Sequence, residues 1–357
     1  MKKRVVFVNH CLTGGGSEKA MTIIANYFVS KGIDVTMILL NDEERTYYVD
    51  PRIRIIECYC PIKGNKIIWH IKRIMTIRNV IKKCRAKVVI TFMWDINMNV
   101  ILACLVLNKK IIASERCDPK HETRKLLKVA MKFILPLSDY TVFQTDQVQQ
   151  YYPICIQKRS CVIPNAIAND LPPINREKIA NKIVAIGRLM EQKNFSLLIN
   201  AFKKVSNKYP TYELFIYGEG PLKCELQTQI NQLELSDKVF LEGYVSNIYE
   251  EISDASIYVN SSSYEGISNA MLEAMAMGIP SICTDCPVGG AKMIIKNEIN
   301  GILISVDDEE ALYNALIVLI ESKTMAKKLS ENAALIREKL SVDEIGKKWM
   351  ELYDKLY

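Results

Sequence analysis

The chain has 357 residues, 49% hydrophobic and 24% charged, with a formal net charge of +7. That length suggests about two domains at ~150 residues each, and the composition excludes disordered, collagen-like and coiled-coil classes. No apolar run approaches the ~20 residues of a spanning helix, and Lys3-Arg4 runs straight into Val5-Val6-Phe7-Val8 with no apolar leader, so a cytoplasmic location is expected. The 11 Cys are scattered and odd in number, which fits reduced thiols better than a disulfide framework.

Taken in chain order, short apolar strands alternate with amphipathic helices. Val5–Asn9, Asp34–Leu40, Lys87–Thr91, Lys110–Ser114 and Tyr140–Gln144 read as buried strands of a first half. Lys182–Ile186, Tyr212–Tyr217, Lys238–Leu241, Ser256–Asn260 and Pro280–Cys283 read as strands of a second. Helical patterns lie between them at Ser17–Lys31, Phe195–Tyr209 and Asn269–Met277. Such βαβα alternation predicts parallel sheets covered on both faces. Prolines and polar residues from Pro164 to Pro173 mark a hinge, giving two doubly wound α/β domains at 1–168 and 174–340. The closing helix, Val342–Tyr357, is amphipathic and is expected to pack back across the hinge. Ligands of open α/β sheets bind beyond the strands' carboxyl ends, which places the expected site in a cleft between the domains.

Charge divides unevenly. Residues 1–170 hold 27 Lys+Arg and 14 Asp+Glu, so +13, and residues 171–357 hold 20 and 26, so −6. The stretch Lys63–Lys87 carries nine Lys/Arg and no acid, interleaved with Trp69 and many Ile. It reads either as an ordinary core-packing helix with a solvated basic face or as a helix lying on an anionic membrane. A second basic helix over Lys120–Lys132 adds to the membrane reading. No nucleic-acid motif accompanies the charge, so DNA and RNA are not expected partners.

Four segments could carry chemistry. Gly14-Gly15-Gly16-Ser17 follows the first strand and opens a helix whose free N–H groups attract phosphate, although its spacing is neither G-x-G-x-x-G nor a P-loop. Arg188 and Lys193 follow the strand Lys182–Ile186, a fork and a point charge able to neutralise a diphosphate. Glu265-Gly266-Ile267-Ser268-Asn269 precedes a helix for which Ser268 or Asn269 is the expected N-cap, and Glu265 and Glu273, near two helical turns apart, are expected to point to one side. Cys283-x-x-Cys286 lacks the second ligand pair of a zinc site, the three His are dispersed, and no Asp-x-Asp is present to hold a nucleotide-bound ion, so neither metal nor other cofactor is expected.

With these residues in view, the chain resembles the family 4 retaining glycosyltransferases, or glycosyl transferases group 1, of the GT-B fold. The resemblance runs through the Gly-Gly-Gly-Ser-Glu loop, Pro164-Asn165, Gly187-Arg188 to Lys193, Tyr217-Gly218-Glu219-Gly220-Pro221, Gly243-Tyr244-Val245 and the span from Ser262 through Glu265-Gly266 and Glu273-Ala274 to Pro280. Ser114–Pro119 looks like the bacterial surface-polysaccharide branch. The resemblance implies two Rossmann-like domains and transfer, with retention and without metal, from a UDP-sugar or GDP-mannose to a saccharide, typically polyprenyl-diphosphate-linked at the inner membrane face. It implies that Arg188, Lys193 and Glu265 are catalytic, the first two on the donor diphosphate and Glu265 on the sugar. Gly15, Gly16, Gly266, Ile267, Ser268 and Asn269 would assist the donor, Tyr244 and Val245 would flank its base, and Glu273 would accept from its ribose. Glu18, Glu115, Arg116 and His121 are acceptor-side candidates, since the His common in relatives after this strand is replaced here by Glu115-Arg116. An epimerase or a non-catalytic partner subunit of the same fold is the competing class, disfavoured by the intact Arg188, Lys193, Glu265 and Glu273.

Overall fold

The computed structural model describes residues 2–41, 46–60, 65–116, 118–120, 125–174 and 179–357. Two compact units emerge, one of residues 1–166 with 342–357, the other of residues 167–341.

The first unit holds seven strands: β1 (Arg4–Asn9), β2 (Asp34–Leu39), β3 (Arg54–Glu57), β4 (Val88–Phe92), β5 (Lys110–Glu115), β6 (Tyr140–Phe143) and β7 (Ser160–Val162). They pair in parallel in the order β3-β2-β1-β4-β5-β6-β7. Val88–Phe92 is buried along its whole length, as a strand covered on both faces must be. The helices used below are α1 (Gly16–Ser30), α2 (Lys66–Lys83), α3 (Trp94–Cys104), α4 (Lys125–Ile134) and α5 (Asp146–Tyr151).

The C-terminal helix Val342–Leu356 belongs to this unit, 175 residues after the chain left it at residue 166. It buries Ile345, Gly346, Trp349, Leu352 and Tyr353, one stripe at helical spacing. Trp349 stacks on Phe92 with centroids 5.4 Å apart, and Tyr353 meets Phe28 edge-on at 5.3 Å. Gly346 is required here, because an added Cβ would lie 2.5 Å from the Tyr27 ring.

The second unit has β8 (Lys182–Ile186), β9 (Glu213–Tyr217), β10 (Val239–Gly243), β11 (Ile257–Asn260), β12 (Ser281–Thr284) and β13 (Ile302–Ile304). Their order, β10-β9-β8-β11-β12-β13, is again wholly parallel. The helix Phe195–Lys208 buries Phe195, Leu198, Ile199, Ala201, Phe202 and Val205 against Ile183, Leu214 and Ile216, so its polar face is left to solvent. Strand order reverses between β1 and β4 in the first unit and between β8 and β11 in the second, and the carboxyl ends at such switch points are the ligand positions of doubly wound sheets.

Ten expected strands are present to within two residues at either end. The strands β3, β7 and β13 were not expected. All three are edge strands of only three or four residues; polar residues break the apolar run in β3 and β7, and β13, though apolar, is too short to stand out.

Candidate active site

The second unit's switch point brings together Lys193 and Glu265, two of the residues singled out for the donor. Gly187 ends β8 and the loop runs through Arg188 to Lys193, while β11 leads into Ser261–Ser268. The two loops are stitched together. Ser263 N donates to Gln192 O (2.9 Å), Gln192 Nε2 to Tyr264 O (2.9 Å) and Ser261 Oγ to Lys193 O (2.8 Å). Lys193 Nζ thereby lies 2.7 Å from both Glu265 carboxylate oxygens. Only 12% of the Lys193 side chain and 16% of the Glu265 side chain are exposed, so the pair is more strongly coupled than a surface ion pair. Ser262 Oγ, 2.8 Å from Glu265 Oε2, supports the same carboxylate. Gly187 makes room for this arrangement, because a Cβ there would lie 2.7 Å from Lys193 Cε.

Ser268 is the N-cap of the Asn269–Ala276 helix, its Oγ accepting from Met271 N (3.3 Å). Glu265 therefore precedes the helix, and its eight-residue spacing from Glu273 is not two helical turns. This corrects the expected helical spacing: Glu265 is held by Lys193, and Glu273 is buried on the helix. Arg188 is exposed on the β8 loop, outside the Lys193–Glu265 cluster. Tyr244, 61% exposed, and the half-buried Val245 follow the edge strand β10. Cys283 and Cys286 are buried free thiols, and Cys286 Sγ donates to Ser262 O at 3.1 Å, supporting the same loop. Among the described residues no group of three His, Cys, Asp or Glu is placed to hold a metal ion.

In the first unit, Gly15 is the N-cap of α1 and Gly16 its first residue. The Glu18 carboxylate folds back over Gly15, where an added Cβ would strike it, and accepts from Ser17 Oγ at 2.7 Å. Acidic groups are stabilised at a helix N-terminus, so Glu18 serves the end of its own helix in this structure.

Glu115 and Arg116, neighbours in sequence, part at the end of β5. Arg116 turns inward, donating to Asn165 Oδ1 (2.5 Å) and Ser114 Oγ (2.8 Å), and lies over the Phe92 and Trp349 rings at 4.5 and 5.7 Å. It is a buried tie between the Pro164-Asn165 segment and the C-terminal helix. Burial lowers its pKa to about 9, which leaves it charged at neutral pH.

Glu115 is 4% exposed, with Asn97 Nδ2 donating to its Oε1 at 2.6 Å. Burial pushes its carboxyl up to about 8, opposed by hydrogen bonds from Asn97 and Tyr152 and reinforced by Asp95. His121 lies outside the described residues.

The sequence reading did not single out the group at the β1/β4 switch point. His10 Nε2 lies 2.7 Å from Asp95 Oδ2, and Arg73 Nη2 lies 3.1 Å from His10 Nδ1. Met93, between β4 and α3, has φ 74° and ψ 132°, a conformation costing a non-glycine residue about 1–3 kcal/mol. Its amide donates to Ser114 O (3.2 Å) and its carbonyl accepts from Asn97 N (2.8 Å), which holds Trp94 and Asp95 at the strand's carboxyl end. The signal was a His and an Asp one to three residues beyond two strands, readable only once those strands are known to be neighbours.

A model of the glycosyl transferases group 1 matches residues 168–335, and a model of glycosyltransferase family 4 matches residues 14–171. The chain is 28% identical to the Campylobacter jejuni N-acetylgalactosamine-N,N'-diacetylbacillosaminyl-diphospho-undecaprenol 4-alpha-N-acetylgalactosaminyltransferase, over 95% of both chains. Among solved structures, the sucrose-phosphate synthase of Thermosynechococcus elongatus superposes with a TM-score of 0.86 at 17% identity, over 99% of each chain. Anabaena HepE in complex with UDP-glucose gives 0.80 at 17% identity, also over 99% of each chain. The two models meet at the passage from one unit to the other, and the chain belongs to the family 4, group 1 glycosyltransferases of GT-B fold.

Proposed function

We propose that the protein transfers a hexose or N-acetylhexosamine from a UDP-sugar, with retention of configuration, to a lipid-linked saccharide of surface-polysaccharide assembly. The observation that carries this is the Lys193–Glu265 cluster at the second unit's switch point, with Arg188 exposed on the same loop. Arg188 and Lys193 offer positive charge to a leaving diphosphate, the service a divalent ion performs elsewhere. Glu265, held by Lys193 and Ser262, presents a fixed carboxylate to the transferred sugar. The Campylobacter relative's named acceptor is diphospho-undecaprenol-linked, and HepE binds UDP-glucose, which favours this donor and acceptor class.

The test is incubation with each common UDP-sugar and with GDP-mannose, using an isoprenyl-diphosphate-linked N-acetylhexosamine disaccharide as acceptor. The expected product carries one added α-linked sugar, identified by its anomeric coupling constant, and its yield is unchanged in excess EDTA. A β-linked product refutes retention. Loss of activity in EDTA with recovery on Mg²⁺ refutes metal independence. Epimerised donor without transfer refutes the function itself.

Such an acceptor sits at a membrane, and α2 has a surface for one. Ile67, Ile68, Ile71 and Met75 are 70, 53, 57 and 50% exposed, while the later Ile77 and Ile81 are buried. Lys72, Lys82 and Lys83 are exposed on the same helix. Arg73 and Arg78 are occupied within the unit, Arg73 against Trp69 and His10, Arg78 on Ala103 O and Leu105 O. Among the described residues no helix is long and apolar enough to cross a membrane, so α2 would lie in the interface. At ~1 kcal/mol for each lysine near an anionic surface, changing Lys72, Lys82 and Lys83 to Gln should weaken binding to anionic liposomes on the order of a hundredfold. High salt should have a similar effect. Co-sedimentation that is equal for anionic and neutral vesicles, or undiminished in the triple variant, removes the membrane from the proposal.

A further inference from the structure

Tyr258 lies within β11 and is fully buried. Side chains alternate across a strand, and its neighbours Ile257 and Val259 join Leu198 and Phe202 in the core on one face of the sheet. Tyr258 therefore faces the other side, where the Asn269–Ala276 helix packs on β11 and β12. Its hydroxyl makes no hydrogen bond among the described residues. Ser268, the N-cap of that helix, stands beside it, but the two hydroxyls are not aligned as donor and acceptor. Glu265, Glu273 and Cys283 are the other polar groups that act on it. A buried polar group left unmet opposes folding, and phenylalanine would fill this position without that penalty. The unmet hydroxyl thus points to a partner in another state of the site.

We propose that Tyr258 is a positioning residue for the nucleotide donor: when a diphosphate occupies the second unit's switch point, the Tyr258 hydroxyl donates to Ser268 Oγ, and Ser268 donates in turn to a diphosphate oxygen. This rests on the nucleotide-sugar reading above and adds to it a residue behind the helix start.

The valences of Ser268 support the relay. A serine hydroxyl has two lone pairs and one proton. Met271 N takes one lone pair at 3.3 Å. A bond from Tyr258 takes the second, which leaves the serine proton for a ligand beyond the carboxyl end of β11. Hydroxyls in series polarise one another, and the outer bond, ending on an anion, is the strong one. Burial, reinforced by the nearby Cys283 and Glu265, holds the phenol well above its ordinary pKa, so Tyr258 keeps its proton to donate.

The experiment titrates UDP, with GDP in parallel, into the full chain by calorimetry and melts each variant without ligand. Tyr258→Phe should weaken UDP binding about five- to tenfold, the scale of one hydrogen bond. It should also raise the ligand-free melting temperature by about 2 °C, because the unmet hydroxyl is gone. Ser268→Gly, a replacement that costs an N-cap little, removes the middle of the relay. In that background Tyr258→Phe should change UDP affinity by less than about twofold, within the scatter of uncoupled sites. Unchanged UDP affinity in Tyr258→Phe overturns the inference. So does a full additional loss in the Ser268→Gly background, which would show that Tyr258 does not act through Ser268. A lower ligand-free melting temperature for Tyr258→Phe also overturns it, since the hydroxyl would then be bonded before any ligand arrives. Failure of the wild type to bind either nucleotide sinks the nucleotide-sugar reading together with this inference, whereas normal binding with a Tyr258→Phe protein that matches the wild type sinks the inference alone.

Discussion

Arg188→Ala is expected to lower kcat/KM for the nucleotide sugar by ~10²-fold or more, the scale of losing one preorganised electrostatic contact to developing charge, and to leave thermal stability unchanged. Arg188 is exposed and lies outside the Lys193–Glu265 cluster, so the folded protein has little to lose with its guanidinium. Lys193→Ala should match or exceed that catalytic loss and should also lower the unfolding midpoint. It leaves Glu265, only 16% exposed, without the cation that lies 2.7 Å from both of its oxygens. A carboxylate stranded at that depth is costly, and Lys193→Ala combined with Glu265→Gln should recover the stability without the activity. Arg188→Lys should rescue only in part, since the planar fork is lost. The measurements are steady-state kinetics with the donor that the transfer assay selects and a melt of each variant. Near-normal turnover in Arg188→Ala removes that residue from the diphosphate site, and an unchanged melt for Lys193→Ala contradicts the coupling drawn from the ion pair.

Trp349→Ala is expected to destabilise the first unit by ~3–5 kcal/mol, the range for deleting a large aromatic side chain from a packed core. Trp349 is fully buried, stacks on Phe92 at 5.4 Å and lies 5.7 Å from the Arg116 guanidinium. Its removal opens a cavity and takes one aromatic face from a buried cation. Trp349→Phe keeps a ring over Phe92 and should cost less. Urea unfolding followed by circular dichroism gives the comparison, and a loss under ~1 kcal/mol would show that the C-terminal helix is a dispensable cover. The two aromatic ties, Phe92–Trp349 and Phe28–Tyr353, bind sequence positions more than 250 residues apart.

Much of the fold was legible because parallel, doubly covered strands write themselves as unbroken apolar runs. Val88–Phe92 and Ile257–Asn260 are buried throughout, whereas β3 and β7 carry polar residues and β13 is an apolar run of only three residues, all at sheet edges. The placement of Lys193 and Glu265 was legible for a related reason: a cation and a carboxylate just beyond predicted strands stand where such sheets bind ligands. The directions taken by the charged residues after β5 were not. Glu115 and Arg116 looked equivalent as adjacent charged residues after β5, yet one faces a pocket and the other the core.

The sequence alone determined the element types, the parallel α/β class, the division of charge and the residue types at each strand's end, because these follow from local periodicity and from which side chains tolerate burial. Only the tertiary structure decided which strand ends are neighbours. Lys193 and Glu265 are 72 residues apart and meet because β8 and β11 pair, and His10 and Asp95 are 85 apart and meet because β1 and β4 do. Strand order is a property of long-range pairing, which no local pattern encodes. The same holds for Arg116, whose partners at Asn165 and Trp349 come from segments 49 and 233 residues further along the chain.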